Sequence, residues 1–395
     1  MRKLLAALPL LSLAACGGAG LETVGSTPVG TPTSGSQSGS THSFVNPTTV
    51  KTYSAIGGVQ SYRYTTNENN NSGQYNQLYA GNASTARNSA ISVTYDPRDA
   101  IFELTIADTK AGVDQKIRFQ DPAHRTDFGG AVAPQGGVPD QTANGVRYLQ
   151  VGGGTGISTY DPAQSTTFPI GEEDSSVNRS TFFYQIPGTR TRYVTFAGYV
   201  RNQTSVAKVT PPSGPEYLEQ NHVLERAAFV FGERTNNSAV PTSGSATYTG
   251  AMQASMVYNP DLDTLGYVNA PTYFQWINGS ASTTVDFASR NVSIALTGTI
   301  DAPLYDVYTS RNTGAPAGSQ FTASGSGQID LVNAGGFLGQ FTNATVNGTA
   351  LTIAGSSLDG AFFGPAAEEV GGGFRIVGGT PDERIDIIGS YTGAR

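Results

Sequence analysis

LDGAFFGPAAEEVGGGFRIVGG, residues 358–379, is the stretch on which the fold turns. It reads in three parts. Leu358, Ala361 and Phe363 lie at or near strand spacing, with Phe362 beside them. Gly364-Pro365 then breaks the strand, because proline fixes φ and has no N–H to give a ladder. Ala366 to Val370 is the best helix-forming run nearby, and it is about one turn long. Gly371-Gly372-Gly373 ends it and lets backbones approach closely. Phe374, Ile376 and Val377 open a new strand. The prediction is strand, one-turn corner, strand, with glycines where side chains would collide. Glu368 and Glu369 could be read as an acid/base pair, but glycosidase pairs face each other across roughly 5–9 Å and come from separate elements. Acceptance of backbone donors at the turn is the better reading for two adjacent carboxylates, so no catalytic residue is assigned.

Outward from that stretch, period-2 patterning continues on both sides. Asp386 to Tyr391 follows it; Gly336 to Thr349, Phe321 to Ile329, Val292 to Leu296, Thr284 to Phe287, Met252 to Tyr258 and Ala246 to Gly250 precede it. That makes about eight strands, the number that closes a barrel whose interior side chains can fill. Closure removes exposed edges. Further upstream, Pro211-Pro212-Ser213-Gly214-Pro215 is a clear break, and Glu225 to Gly232 reads as a connecting strand. The first region is also β-rich. Ile91, Val93 and Tyr95 alternate, Asp96-Pro97-Arg98-Asp99 supplies turn chemistry, and Phe102, Leu104 and Ile106 alternate again, which predicts a hairpin. Arg192 to Val200 is β-branched and aromatic enough for a central strand.

The first residues form a targeting pattern. Arg2 and Lys3 precede a short apolar run, Leu4 to Leu13, too short for a stable membrane anchor, and Leu13-Ala14-Ala15-Cys16 follows. Cys16 is the single cysteine of 395 residues, as suits an exported chain without a disulfide framework. Gly17 to about Ser43 is Gly, Ser, Thr and Pro, which cannot bury enough to fold and reads as a tether. Charged residues are 13% of the chain and the net charge is −7, against about 25% charged in ordinary domains. No Lys/Arg cluster advertises nucleic acid. The three histidines, His42, His124 and His222, lack metal-ligand spacing, so neither a metal nor a cofactor is expected. Tyrosine is the one promising residue type. Tyr273 and Trp276 near Pro271, with Tyr305 and Tyr308 in the loop-like stretch 301–319, are the candidate ligand-binding loops, since exposed Tyr and Trp are overrepresented at binding hot spots.

The corner stretch resembles the signature of the barrel domains of transferrin-binding protein B and its relatives. The matching residues are Gly360, Phe362, Phe363, Gly364, Pro365, Ala367, Glu369, Gly371, Gly372 and Phe374. Leu13 to Cys16 similarly resembles a bacterial lipobox, which implies cleavage after Ala15 and lipidation of Cys16. The order of parts is similar to one lobe of that family, and the corner occurs once. The resemblance implies an all-β chain: a signal peptide over 1–15, a lipidated tether over 16–43, a β-rich handle over 44–225, and an eight-stranded antiparallel barrel over 226–395. It also implies an outer-membrane lipoprotein facing the cell exterior and binding an iron or haem carrier protein, or another solute, for uptake through a TonB-dependent transporter. Two other readings stay open: a surface adhesin or binder of host regulators without nutrient uptake, and a direct haem binder with a Tyr or His axial ligand.

Overall fold

The computed structural model describes residues 44–67, 70–81, 90–120, 137–155, 173–259, 272–303, 315–380 and 383–395. The leader, Cys16 and the tether lie outside the described residues, as do Tyr305 and Tyr308. The described chain is almost entirely strand, with two short 3-10 turns. In order the strands are β1 (Lys51–Ser54), β2 (Ile56–Asn67), β3 (Asn70–Gly81), β4 (Ala90–Asp96), β5 (Ile101–Asp108), β6 (Val113–Gln120), β7 (Val146–Thr155), β8 (Ser176–Gln185), β9 (Val194–Val209) and β10 (Tyr217–Gly232). Then come β11 (Ser245–Asn259), β12 (Tyr273–Asp286), β13 (Asn291–Ile300), β14 (Gln320–Asp330), β15 (Gly336–Val346), β16 (Thr349–Ala350), β17 (Thr352–Phe363), β18 (Glu369–Thr380) and β19 (Glu383–Ala394).

The first ten strands form two sheets. One has four strands in the order β1-β4-β5-β6, the other six in the order β3-β2-β10-β9-β8-β7. The predicted hairpin is β4–β5, with Ile91, Val93 and Tyr95 opposite Ile106, Leu104 and Phe102. Asp96 Oδ1 closes its turn by accepting from the Arg98 N–H at 3.0 Å. Alternation puts Tyr95, Phe102, Leu104 and Ile106 on one face, and they pack against Phe182, Tyr184, Tyr199 and Phe229 of the larger sheet. The run Glu225 to Gly232 is the second half of the sixteen-residue β10, paired throughout with β9. The chain leaves the six-stranded sheet at Gly232 and enters the barrel at Ser245.

The barrel is closed and antiparallel, in the order β14-β13-β12-β11-β19-β18-β17-β15, with β15 paired back on β14. Along β13 every second residue is buried, and Val292, Ile294, Leu296 and Ile300 point into a packed interior. Phe337 meets Phe362 at a ring separation of 5.6 Å and Phe341 meets Phe374 at 5.6 Å, so the barrel is filled by its own side chains. Two local features differ from the sequence reading. Gly336 to Thr349 is a hairpin rather than one strand, because Asn347-Gly348, with φ of 51° and 77°, makes the tight turn that suits the strand twist. The corner after Phe363 contains no helical turn. Five residues cannot repay helix nucleation, Ala367 sits at φ 58°, and Glu369 is already paired with Phe363 and Ala394.

The six-stranded sheet is the middle layer. Its second face carries Ile56, Phe183, Val194, Phe196 and Val230, which pack on Trp276, Ala361 and Phe363 of the barrel wall.

Candidate functional site

Two ends of the barrel must be distinguished, because the sequence placed signals at both. The corner end carries residues 364–368, the β12–β13 turn and the β14–β15 turn. The far end carries the connections β11–β12, β13–β14, β15–β17 and β18–β19.

At the corner end, Glu369 reaches across to the first region. Its carboxylate accepts from the backbone N–H groups of Arg192 at 2.6 Å, Tyr193 at 2.8 Å and Val194 at 3.1 Å. Burial pushes the Glu369 carboxyl above its ordinary value, against those three donors, which pull it down. Glu368 closes the turn itself, accepting from the Ala366 N–H at 2.8 Å. Tyr248 donates to the Ala367 carbonyl at 2.8 Å, and Arg395 donates to the same oxygen. The glycine triplet explains itself by distance. A Cβ on Gly373 would lie 2.7 Å from the Gly57 Cα of β2, and one on Gly372 would lie 2.0 Å from the Asp359 carbonyl oxygen. Backbone meets backbone there, so no side chain fits at Gly372 or at Gly373. Both carboxylates are thus occupied as structural acceptors.

The middle of the same contact is ionic. Arg375 donates to Asp386 through Nε at 3.0 Å and Nη2 at 2.6 Å, with both residues buried. Gln60 of β2 donates to the Asp386 carbonyl at 3.1 Å, which ties the pair to the six-stranded sheet.

Toward the far end the contacts pass between side chains. Trp276 Nε1 donates to the Gly137 carbonyl at 2.6 Å, and its ring stands edge-on to Phe183 at 5.6 Å. Asn278 donates to Asp301 at 2.5 Å and accepts from Gln253 at 3.2 Å and from Gln141. Burial pushes the Asp301 carboxyl up to about 6 from 3.8, opposed by the Asn278 bond. Beside it runs an aromatic ladder. Tyr62 stands edge-on to Phe274 at 6.3 Å, Tyr62 stacks on Tyr64 at 5.1 Å, and Tyr64 stacks on His222 at 4.5 Å. The His222 ring is held between the hydroxyls of Thr66 at 3.0 Å and Thr204 at 3.2 Å. At the barrel mouth a cavity of about 110 Å³ is lined by Tyr258, Ala315, Pro316, Val346, Asn347 and Leu351, among others. Among the described residues, no three His, Cys, Asp or Glu side chains gather as metal ligands.

Residues 240–395 match the family model described as the C-lobe and N-lobe beta barrels of Tf-binding protein B. This segment is a barrel of that family. No curated protein matches the chain. Among solved structures, a variant of the vaccine antigen transferrin-binding protein B from Haemophilus parasuis is similar at 14% identity and a TM-score of 0.29, over 86% of this chain and 76% of that one. Transferrin-binding protein B from serogroup B Neisseria meningitidis is similar at 12% identity and a TM-score of 0.25, over 88% of this chain and 77% of that one. A surface lipoprotein is similar at 12% identity and a TM-score of 0.22, over 85% of this chain and 98% of that one.

In this transferrin-binding-protein-type barrel the predicted binding residues part company. Tyr273 opens β12 at the far end. Trp276 lies three residues further on, 5% exposed, and its indole is spent between the two regions. Its strand position does point out of the barrel, but that wall is covered by the six-stranded sheet, so Trp276 presents no ring to solvent. Tyr305 and Tyr308 fall outside the described residues. Sequence reasoning missed the ladder. Alternating Tyr62 and Tyr64 signal a strand, and nothing in the sequence brings His222 beside them.

Proposed function

We propose that this protein is an outer-membrane lipoprotein, anchored through Cys16, that captures an iron or haem carrier protein, transferrin among the possibilities, or another solute, for a TonB-dependent transporter. It works as a binding protein, without catalysis. The observation that carries the proposal is the family match of residues 240–395. The filled barrel adds a physical constraint: with the interior occupied by Phe337, Phe341, Phe362 and Phe374, a ligand must bind outside. The far end is the favoured face. There Tyr273 opens β12, and the outer halves of β9 and β10 extend past the apolar core of the sandwich. Among the described residues, the links from this end to the six-stranded sheet run through side chains such as Trp276, Gln141 and Asn278.

The test is capture from serum and from spent medium with the soluble segment 44–395, together with membranes of iron-starved cells. Recovery of an iron or haem carrier, or of a TonB-type transporter, is the expected result. Recovery of a matrix or immune-regulatory protein in their place would replace nutrient capture with adhesion. A visible haem absorbance band on the purified protein would replace it with direct haem binding.

A further inference from the structure

The described chain begins at Phe44, and it is pinned at the corner end from the start. The Phe44 ring is wholly buried, edge-on to Tyr53 at 5.3 Å and to Phe231 at 5.9 Å. Val45 lies beside Gly188 in the turn between β8 and β9. Lys51 pairs with Glu233 at 2.7 Å, where the chain crosses from the six-stranded sheet to the barrel. Whatever precedes Phe44 therefore leaves the body at this end. A tether of the length and composition read for residues 17–43 has a root-mean-square reach of about 30 Å. The sixteen residues of β10, which run from the far end to the corner end, span about 50 Å. An anchor at Cys16 thus holds the corner end toward its membrane.

The surface of that end suits such a contact. Val332, in the β14–β15 turn, is 89% exposed, and Val50, beside Lys51, is 59% exposed. A single exposed valine is ordinary, but these are two of the four large apolar side chains that stand exposed among the described residues. The crossover joins them: Asn237, four residues after Glu233, donates to the Leu331 carbonyl at 2.6 Å. The acids of the two barrel turns are folded back on their own loops. Asp286 accepts from the N–H groups of Ala288 at 3.0 Å and Ser289 at 3.2 Å, and Asp330 accepts from that of Asn333 at 2.9 Å. Arg290 and Arg395 are exposed and spend donors on neutral oxygens, Arg290 on the Ile329 carbonyl at 2.8 Å and Arg395 on the Ala366 carbonyl at 2.5 Å. A guanidinium so placed keeps its charge and a free edge for a phosphate oxygen. An anionic lipid surface repels a chain of net charge −7 as a whole, which favours approach by a face that carries arginines.

We propose that the corner end rests on the lipid surface, with Val332 and Val50 turned into the interface and Arg290 and Arg395 on headgroup phosphates, so that the far end is held outward. This rests on the lipid anchor at Cys16 proposed above.

The experiment uses the full acylated chain in vesicles of phosphatidylethanolamine and phosphatidylglycerol that carry a doxyl-labelled lipid. The mass of the Cys16 peptide and flotation with the vesicles are read first. An unacylated chain that stays in solution overturns the anchor, and this proposal with it. On the anchored chain, whose acylated Cys16 does not compete for label, a fluorophore is attached through Val332→Cys or, separately, through Ala350→Cys, an exposed position at the opposite end of β15. Strong quenching at position 332 with little at position 350 is expected. Val332→Asp with Arg290→Glu, read through a fluorophore at Val50→Cys, should cut the quenching there by about half or more while the chain still floats with the vesicles. Equal quenching at positions 332 and 350 would mean a body that swings on its tether, and stronger quenching at 350 a reversed one; either result overturns the proposal.

Discussion

The two ends of the contact between the six-stranded sheet and the barrel are built from different materials. At the corner end nearly every link uses backbone. Gly57 and Gly373 approach backbone to backbone, the Glu369 carboxylate takes three consecutive N–H groups, and Thr235 donates its N–H to the Phe362 carbonyl at 2.9 Å and its hydroxyl to the Gly364 carbonyl at 2.6 Å. Toward the far end the links are amides, an indole and an aromatic ladder. Backbone links are indifferent to neighbouring sequence and strict about geometry, while side-chain links are the reverse. The two kinds of link sit at opposite ends of one interface.

The sharpest way to break the comparison is at Gly373. A valine there must force β18 away from β2, and overpacking against backbone cannot be relieved by a rotamer change. Gly373→Val should cost about 4 kcal/mol or more, read as a collapse of the thermal transition. Gly355, where a Cβ would meet nothing within 4 Å, is the control: Gly355→Ala should melt within a few degrees of the parent. Next comes the buried ion pair. Asp386→Ala strands Arg375 and should cost about 3–5 kcal/mol in denaturant unfolding, whereas the double change Asp386→Leu with Arg375→Met should recover most of it. Full additivity of the two single losses would show that the pair is not a unit.

Smaller again is Glu369→Gln. The shape survives, but an amide NH₂ now faces one of the N–H groups of residues 192–194. About 2 kcal/mol should be lost. Hydrogen exchange should locate the loss, with the amides of Arg192, Tyr193 and Val194 exchanging faster and those of β13 unchanged. Uniform acceleration across the barrel would mean that Glu369 supports the barrel rather than the junction.

How much of this was legible in the sequence follows the same division. Period-2 alternation on β4, β5 and β13 can be read directly, because burial on one face imposes it residue by residue. The corner was legible too, since proline and three glycines restrict the backbone wherever they occur. The destination of the Glu369 carboxylate was not. Its donors lie about 175 residues upstream, and a turn motif encodes its own geometry but not the surface it meets. Trp276 was misplaced for a related reason. Aromatic residues at a loop edge look exposed until a second sheet covers that wall of the barrel. The run Ala366 to Val370 misled through propensity alone, since good helix formers still make a turn when the strands on both sides are already paired.

The gentlest probe lies toward the far end, at Asp301. Its folded pKa of about 6 stands above the ordinary 3.8, so the folded state binds a proton that the unfolded chain releases. The sign follows from linkage: stability from the protonated form is fully present below about pH 4 and is lost as the pH rises through 6. At neutral pH the buried carboxylate is therefore a cost. After allowance for its partial exposure to solvent, the cost is about 1 kcal/mol. Asp301→Asn keeps an acceptor for the Asn278 amide and removes the charge. It should melt higher than the parent at pH 7, melt equally at pH 4, and lose the downward slope between those values. An Asn variant less stable at pH 7 would mean that the ionised carboxylate is wanted where it is, and that this end is held by charge as well as by neutral side chains.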